Sequence, residues 1–181
     1  MTLETERLIL RPWRETDAES LFEYAKDEHI GPATGWPVHT SVENSREVIR
    51  SVLSVPENYA VCLKADDRAI GCIALTRGKQ SNLDLPETDG ELGFWIGVPF
   101  WGRGLIPEAA RELIRRAFAD LGFQTLWCGY FDGNEKSKRV QEKCGFTYHH
   151  TNKDIFWKLT GDIRTEHVMR LTKGEWEALP K

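Results

Sequence analysis

Alternation of apolar and polar residues predicts several short strands in the first half of this chain. The segment Arg7-Leu8-Ile9-Leu10-Arg11-Pro12-Trp13 alternates as a half-buried first strand does, and Pro12 suits an edge position. Residues 59–64 and 69–76 form two further strands joined by the turn Asp66-Asp67-Arg68. We therefore expect these two strands to pair antiparallel.

Two helices are predicted between the first and second strands. Thr16-Asp17-Ala18-Glu19 and Thr40-Ser41-Val42-Glu43 have the capping-box spacing, a hydroxyl residue three positions before an acidic one. Apolar residues follow each start signal: Ala18, Leu21, Phe22 and Ala25 after the first, and Val48, Ile49, Val52 and Leu53 after the second. Residues 31–39, between the two helices, are predicted to form an irregular loop that carries aromatic side chains.

The second half of the chain alternates strands with helices. Residues 78–88 read as a polar loop, and residues 90–98 read as a central strand ended by Pro99. The helix that follows has one apolar face, formed by Leu105, Ala109, Leu113, Ala117 and Leu121. Residues 124–131 form the next strand. A strand, helix and strand of this length predict a right-handed crossover between parallel strands.

The remaining elements complete an α+β pattern. Residues 134–144 predict a short helix ended by Gly145 as a left-handed cap, and Phe146-Thr147-Tyr148 leads into another strand. Residues 166–171 form the last strand. The order β, α, α, β, β, β, α, β, α, β, β predicts an α/β sandwich around one mixed sheet. With 181 residues, 40% of them hydrophobic, we expect a single domain over residues 1–181.

Charge and composition narrow the partners. The chain has 24 basic and 28 acidic residues, a formal charge of −4, and no basic block typical of a nucleic-acid surface. No apolar run approaches the roughly 20 residues that span a bilayer. The N-terminal Met1-Thr2-Leu3-Glu4-Thr5-Glu6 is acidic where a signal peptide is basic and then apolar. We expect a cytoplasmic monomer or homodimer that binds neither nucleic acid nor membrane.

Cysteine and histidine positions give no sign of a metal site. The four cysteines, Cys62, Cys72, Cys128 and Cys144, show no CxxC spacing, so we expect buried, reduced thiols. His149 and His150 are adjacent. In a regular strand their side chains would point to opposite faces, which excludes joint ligation of one metal ion. No metal is expected.

A glycine turn provides the strongest chemical signal. In Trp101-Gly102-Arg103-Gly104-Leu105-Ile106, the glycines lack Cβ atoms, so the backbone can approach a bulky anion next to the free N–H groups of a helix start. Pro107 suits the first helical turn. A P-loop requires Lys-Ser or Lys-Thr after its last glycine, and a dinucleotide motif requires a third glycine where Pro107 stands. The turn therefore predicts a pyrophosphate cradle of another kind.

This turn and a second motif about thirty residues later together resemble the GNAT acetyltransferases. The second motif begins with Asn134-Glu135-Lys136-Ser137 and ends with Glu142-Lys143-Cys144-Gly145-Phe146. With the opening Thr5-Glu6-Arg7-Leu8-Ile9-Leu10-Arg11, it is similar to the RimJ/RimL branch of ribosomal-protein N-terminal acetyltransferases. The resemblance covers nearly the whole chain. It implies a GNAT fold, whose twisted, mostly antiparallel sheet has helices on both faces and a splayed parallel pair, here the fourth and fifth predicted strands.

The resemblance also implies a donor, acetyl-CoA, and positions that would bind it. The pyrophosphate would lie on the turn formed by Trp101, Gly102, Arg103, Gly104, Leu105 and Ile106. The leading Gln or Arg of the family motif would fall at Pro99, a departure that removes one side chain but little of the backbone cradle. The pantetheine would bond to the strand edge near Ile96 and Val98, with Gly97 in a bulge.

In the second motif, Asn134 and Ser137 lie three residues apart and therefore share a helix face. By resemblance, Asn134 contacts the pantetheine arm, and Ser137 is placed to hydrate or protonate the leaving thiolate. The structural alternative makes Asn134 an ordinary N-cap and Ser137 a solvent-facing residue. Both interpretations stay open at this point.

The candidate base and substrate contacts lie outside these two motifs. Glu91, at the start of the central strand, could remove the amine proton directly or through water, with its pKa raised by partial burial. Asp89 would lie on the same strand face, where it could share this role or attract a cationic substrate. Trp36, in a loop rich in glycine and proline, is the candidate substrate contact.

The acceptor is a primary amine whose identity the sequence leaves open. A protein N-terminal α-amine, with a pKa near 7.8, is neutral far more often at pH 7 than a lysine amine, with a pKa near 10.4. An α-amine therefore needs less help, and the resemblance to the RimJ/RimL branch implies a protein N-terminus of the ribosomal-protein type, which is the leading hypothesis. A polyamine, an amino sugar or an amino acid is the nearer alternative, and a non-catalytic acyl-CoA-binding module is the more distant one.

Overall fold

The computed structural model describes residues 1–180, which divide into two compact units. The first unit comprises Met1–Ala74 and Phe94–Glu112. The second comprises Leu75–Gly93 and the chain from Leu113 onward. The expectation of a single domain stays a prediction.

Antiparallel strands form the sheet of the first unit. They are β1 (Leu3–Glu4), β2 (Leu8–Arg11), β3 (Asn58–Leu63) and β4 (Ala69–Arg77). The first unit includes β4 as far as Ala74. The hydrogen-bonded order is β1-β2-β3-β4, so the predicted antiparallel hairpin of β3 and β4 is confirmed. The predicted edge position of the first strand is wrong, because β1 pairs on its outer side and Pro12 lies just past β2.

Three helices lie in the first unit: α1 (Ala18–Ala25), α2 (Gly31–Thr34) and α3 (Val42–Val48). Neither predicted capping box forms at the predicted residues. Asp17, not Thr16, accepts a bond from the Arg14 backbone N–H, 2.8 Å away. Asp17 stands at the N-cap of α1 but makes no side-chain cap bond to that helix, and its bond belongs to the turn Glu15–Asp17 before it. Ser41, not Thr40, caps α3 through the Asn44 N–H at 3.0 Å. These differences leave the predicted helices in place.

Short helical turns complete these elements. One precedes α1 at Glu15–Asp17, and a π-turn over Ile49–Leu53 extends α3. α2 occupies part of the segment predicted to be irregular, and it ends at Gly35, whose φ is +87°. The apolar core of this unit packs α1 against the strands through Trp13, Ala18, Leu21, Ala25, Ile49, Ala60, Cys62, Ala69 and Cys72.

The second unit has the mixed part of the sheet. Its strands are β5 (Asp89–Ile96, which continues into the first unit), β6 (Thr125–Phe131), β7 (Thr147–Trp157) and β8 (Asp162–Thr172). The order is β5-β6-β8-β7, with β5 and β6 parallel and the other pairs antiparallel. The predicted parallel pair and the α+β class with a mixed sheet are confirmed.

The pairing of β5 with β6 is short. Among the described residues it runs from Asp89 opposite Thr125 to Glu91 opposite Trp127. β6 then continues to Phe131 and stays paired with β8 along its whole length, up to Phe131 opposite Glu166. Parallel pairing is thus shown for the first three residues of each strand, and the predicted splay beyond them stays a prediction.

The remaining helices are α4 (Leu105–Arg115), α5 (Glu135–Lys143) and α6 (Lys173–Glu177), with 3₁₀ turns at Gly78–Gln80 and Val98–Phe100 and a π-turn at Arg116–Asp120. Gly145 has φ +92°, which confirms it as the cap of α5. The C-terminal α6 was not predicted, although Thr172 and Glu175 form a capping box at its start.

The predictions for the cysteines and for the histidine pair have different outcomes. All four cysteines are buried free thiols, as expected. The prediction that His149 and His150 point to opposite faces is wrong, because their Nδ1 atoms lie 2.8 Å apart. β7 shifts register between Tyr148 and His150, and such a bulge interrupts the alternation of side chains. Within residues 1–180, no helix is both long and apolar enough to cross a membrane.

Candidate active site

The glycine turn stands directly before α4, in the first unit. Gly102 and Gly104 have φ values of +73° and +74°, a backbone conformation that favours glycine. A Cβ built on Gly102 would meet no described atom within 4 Å, and one on Gly104 would meet only the Arg7 guanidinium at 3.7 Å. The Gly104 carbonyl accepts the first helical bond, from the Glu108 N–H at 3.2 Å. The turn therefore presents an exposed, side-chain-free backbone at a helix start.

Arg7 braces this turn from a distant part of the sequence. Its Nη1 donates to the Arg103 carbonyl at 3.0 Å, and its Nε donates to the Glu108 carboxylate at 2.6 Å. The Arg7 backbone N–H and the Thr5 hydroxyl also donate to Glu108. Partial burial raises the pKa of Glu108, but these bonds outweigh burial and hold the pKa below its ordinary value. The carboxylate is therefore ionised and fixes the start of α4.

Trp101 hydrogen-bonds to the end of β5, the strand before the glycine turn. Its indole N–H donates to the Ile96 carbonyl at 2.9 Å, and Val98 opens the 3₁₀ turn that leads to Trp101. Gly97 does not form the expected bulge in the strand. It lies just past β5, and its N–H donates to the Ile70 carbonyl at 2.8 Å. A Cβ on Gly97 would lie 2.7 Å from the Tyr24 ring, so close packing explains this glycine.

Trp36 packs against the core of the first unit. Its ring centroid lies 5.8 Å from that of Trp95 and 5.3 Å from that of His39. Its main chain and ring also lie so close to Gly31 that a Cβ there would collide with them. A substrate contact by Trp36 stays a prediction.

Glu91, the candidate base, lies in the second unit and has a pKa raised above its ordinary value. It is half-buried, and its carboxylate accepts a bond from the Ser81 hydroxyl at 2.7 Å. Burial raises the pKa of Glu91, and the bonds from Ser81 and from the Asn82 backbone oppose this rise without cancelling it. A carboxylate with a raised pKa is a stronger base for an ammonium proton.

Asp89 is held by different partners. The Trp127 indole N–H donates to its Oδ2 at 2.9 Å, and the Thr88 hydroxyl donates to its Oδ1 at 3.0 Å. The carboxylate is 8% exposed. With both oxygens engaged, Asp89 is better placed to orient Trp127 than to take a proton, although its predicted role is untested.

Asn134 and Ser137 do share one helix face. The Asn134 carbonyl oxygen accepts the Ser137 backbone N–H at 3.1 Å, so Asn134 is the N-cap of α5. The Ser137 Oγ accepts a bond from the Gln141 side-chain amide at 3.1 Å. Because a hydroxyl that accepts from an amide keeps its own proton to donate, Ser137 retains a donor for another group. Gln141 also donates to the Gly129 carbonyl at 3.2 Å, which ties α5 to β6.

Glu166 was missed by the sequence analysis. It is 6% exposed, on β8, and burial together with the nearby Glu91 raises its pKa to about 6. The sequence does show that Glu166 shares a strand face with Val168, two residues away. It does not show which residues of other strands pack against that face. Arg7 and Glu108 were missed for the same reason, since they pair across 101 positions.

The first-unit residues fit the pyrophosphate of acetyl-CoA. The test is the glycine cradle, where two left-handed backbone positions leave the surface before a helix start free of Cβ atoms. The backbone of Gly102, Arg103, Gly104, Leu105 and Ile106 would hold the phosphates. In the second unit, Glu91 and Ser137 offer a base and a hydroxyl donor.

Comparisons with known proteins agree with this geometry. The family model for the acetyltransferase (GNAT) domain matches residues 7–147. YdaF of Bacillus subtilis (strain 168), for which a ribosomal N-acetyltransferase function is proposed, is 35% identical over 96 residues, 53% of this chain and 52% of YdaF. The alignment thus spans about half of that relative. The uncharacterized N-acetyltransferase p20 of Bacillus licheniformis is 26% identical over 180 residues, 97% of this chain and 98% of p20.

A solved structure supports the fold. A GNAT-family acetyltransferase from Bacillus anthracis superposes with a TM-score of 0.84 at 20% identity, over 96% of this chain and 99% of that one. The resemblance indicated by the two sequence motifs is therefore confirmed.

Proposed function

The chain belongs to the acetyltransferase (GNAT) family, as an acetyl-CoA-dependent N-acetyltransferase, and we propose that its acceptor is the α-amine of a protein N-terminus of the ribosomal-protein type. The observation that carries the donor half of this proposal is the glycine cradle at the start of α4. Acetyl-CoA supplies an acyl group on a good thiolate leaving group. The chain supplies binding, proton removal and proton return.

Proton removal is assigned to Glu91. An ammonium group must lose a proton before its nitrogen can attack, and an α-amine near pKa 7.8 requires less help than a lysine. Burial raises the pKa of Glu91, which brings it closer to the pKa of the amine. Asp89 serves as a second acidic group that fixes Trp127 by the 2.9 Å bond.

Proton return is assigned to Ser137, and donor positioning to Asn134. The Gln141 amide fills an acceptor position of the Ser137 oxygen, which directs the hydroxyl proton elsewhere. Asn134 would contact the pantetheine arm, together with the backbone near Ile96 and Val98. These roles follow the family resemblance, and the N-cap bond of Asn134 is compatible with them because its side-chain NH₂ is not used by the cap.

The protein N-terminal acceptor is supported by YdaF, whose name refers to ribosomal N-acetylation. We further propose that the protein acts in the cytoplasm as a monomer or homodimer, without a metal ion and without nucleic-acid or membrane partners. The formal charge of −4 favours a cationic acceptor over a polyanionic one.

A screen with radiolabelled acetyl-CoA tests the acceptor. The panel contains peptides with free N-termini, the same peptides with blocked N-termini, spermidine, glucosamine and free amino acids. We expect label transfer to free N-terminal peptides and none to the blocked ones, even where these contain lysine. Faster transfer to a small amine than to every peptide would replace the protein N-terminus by the small-molecule alternative. Binding of acetyl-CoA with no transfer at all would indicate an acyl-CoA-binding module.

A further inference from the structure

The second unit contains a cavity of about 350 Å³. None of the predicted site residues is among the residues that line it. It lies beside β6, β7 and β8 and under the loop before β5. Its walls are Asn82, Leu83, Asp84, Leu85, Trp127, His150, Asn152, Ile155, Trp157, Glu166 and Val168. We call this space the Glu166 cavity.

The walls of the Glu166 cavity suit a cation with an apolar neighbour. Of the lining residues within the described chain, none is lysine or arginine, and Glu166 is the buried carboxylate. The other acidic lining residue, Asp84, is exposed and pairs with Lys79 at 2.9 Å. The indoles of Trp127 and Trp157 offer the aromatic faces that attract ammonium groups. Several aliphatic side chains complete the wall. Such a mixture of a few polar groups on an apolar lining is typical of a small-ligand site.

A glycine on β6 leaves the space that the Glu166 carboxylate occupies. A Cβ added to Gly129 would collide with the Glu166 carboxylate, so the absence of a side chain at Gly129 makes room for it. Asn152 provides a hydrogen bond to Glu166. The Trp157 ring is fixed against Phe131, with ring centroids 4.9 Å apart. The acid and the aromatic wall are therefore pre-positioned.

The Glu166 cavity is also close to the candidate base. Glu91 and Glu166 interact electrostatically, and both carboxylates have pKa values raised first of all by burial. A cation between or beside two such groups relieves their mutual repulsion. Ser81, which binds Glu91, directly precedes the wall segment that begins at Asn82.

We propose that the Glu166 cavity binds the ammonium group and the first side chain of the amine acceptor, with Glu166 as the anionic contact. This rests on the proposed function, and it adds a specificity rule. A cavity of about 350 Å³ accommodates one small or apolar side chain, and the Glu166 carboxylate repels an acidic one. Peptides that begin with Ser, Ala or Met are accepted, and peptides that begin with Asp or Glu are rejected.

Steady-state kinetics of Glu166→Gln with a hexapeptide amide beginning in Ser test this assignment. Loss of one charged contact to the ammonium group raises the KM for the peptide about tenfold or more. The Kd for acetyl-CoA, measured by calorimetry, stays within about twofold because the variant leaves the cradle intact. Glu142→Gln, on the exposed face of α5, is the matched control and leaves both constants unchanged. An unchanged peptide KM in Glu166→Gln overturns the proposal while the proposed function stands.

A binding measurement separates failure of this assignment from failure of the proposed function. If no probe in the panel is acetylated, the proposed function fails, and n-butylamine is titrated into protein labelled with ¹⁵N at the tryptophan indoles. Shifts of the Trp127 and Trp157 signals that disappear in Glu166→Gln support the cavity as an ammonium site. Indole signals that do not move at saturating amine overturn the proposal for the cavity. This measurement uses the unmutated protein, so it does not depend on whether a variant folds.

Discussion

At the residue scale, a comparison of two glycines distinguishes a role in backbone conformation from a role in ligand binding. Gly102 and Gly122 have φ values of +73° and +72°, and a Cβ on either would meet no described atom within 4 Å. Only Gly102 belongs to the proposed cradle. The positive φ explains a glycine at both positions, so only an effect on acetyl-CoA affinity distinguishes Gly102 from Gly122.

We predict that Gly102→Ala and Gly122→Ala each lower the free energy of unfolding by about 1–2 kcal/mol, because an L-residue is strained at this φ. Only Gly102→Ala also raises the Kd for acetyl-CoA, by about tenfold, because its methyl group occupies the backbone surface at the helix start. Urea unfolding and calorimetry measure the two effects. Equal acetyl-CoA affinity in both variants would exclude Gly102 from the cradle.

Glu91→Gln removes the candidate base while keeping the shape of the side chain and its bond to Ser81. We predict that kcat falls by about 10²–10⁴-fold, the range for general-base catalysis, while the Kd for acetyl-CoA is unchanged. Rapid-quench assays with labelled acetyl-CoA report the rate. A rate equal to that of the unmutated protein would remove Glu91 as the base and leave water or Asp89.

Glu166 makes stability depend on pH in a predictable direction. Burial, then Glu91, raises its pKa from 4.5 to about 6, so the folded state prefers the protonated form. This contribution to the free energy of unfolding is complete below pH 4.5 and is lost as the pH rises through about 6. We predict that Glu166→Gln, which keeps the neutral state, is more stable than the unmutated protein by about 2 kcal/mol at pH 7.5.

Urea unfolding at pH 4.5, 6 and 7.5 checks this prediction, with the exposed Glu142→Gln as control. The difference between Glu166→Gln and the unmutated protein is expected to vanish at pH 4.5. A difference that is the same at all three pH values would show that Glu166 is not destabilised in its charged form.

At the scale of elements, the start of α5 has two roles that a single substitution can separate. Asn134 caps the helix through its carbonyl oxygen, and its side-chain NH₂ is the group proposed to reach the pantetheine. Aspartate keeps the capping oxygen and favours the helix dipole, but lacks the NH₂ group.

We predict that Asn134→Asp leaves the melting temperature unchanged and raises the Kd for acetyl-CoA several-fold. Asn134→Ala loses the cap as well and lowers the free energy of unfolding by about 1 kcal/mol. Differential scanning calorimetry and acetyl-CoA titration of both variants give the answer. If Asn134→Asp binds acetyl-CoA as the unmutated protein does, the residue is a cap and nothing more.

For the molecule as a whole, acetyl-CoA should act as a stabilising ligand of the folded state. We predict that acetyl-CoA at about 100 times its Kd adds about 2.7 kcal/mol to the free energy of unfolding, because a ligand that binds only the folded state shifts the equilibrium by mass action. Thermal unfolding with rising acetyl-CoA measures the shift, and desulfo-CoA or adenosine alone shows which part of the donor carries it. No shift at saturation would contradict both the cradle and the proposed function.

Local spacing in the sequence was sufficient for most of the elements and for the glycine turn before α4. The alternation of β3 and β4, the glycines before α4 and the Asn-x-x-Ser start of α5 each depend on residues a few positions apart, and the structure contains all of these elements. Errors at this level were small, as when Ser41 rather than Thr40 turned out to cap α3.

Contacts between distant residues were decided only by the tertiary structure. Arg7 reaches Glu108 across 101 positions, Glu166 lies over Gly129 from a neighbouring strand, and a bulge in β7 brings His149 against His150. Sequence periodicity gives the face of a strand or helix but not what packs against that face, because register and burial are set by the whole chain. The sequence alone therefore determined most of the elements and the glycine turn that we propose as the donor cradle, whereas the Arg7–Glu108 contacts beside that turn and the Glu166 cavity exist only once the sheet has formed.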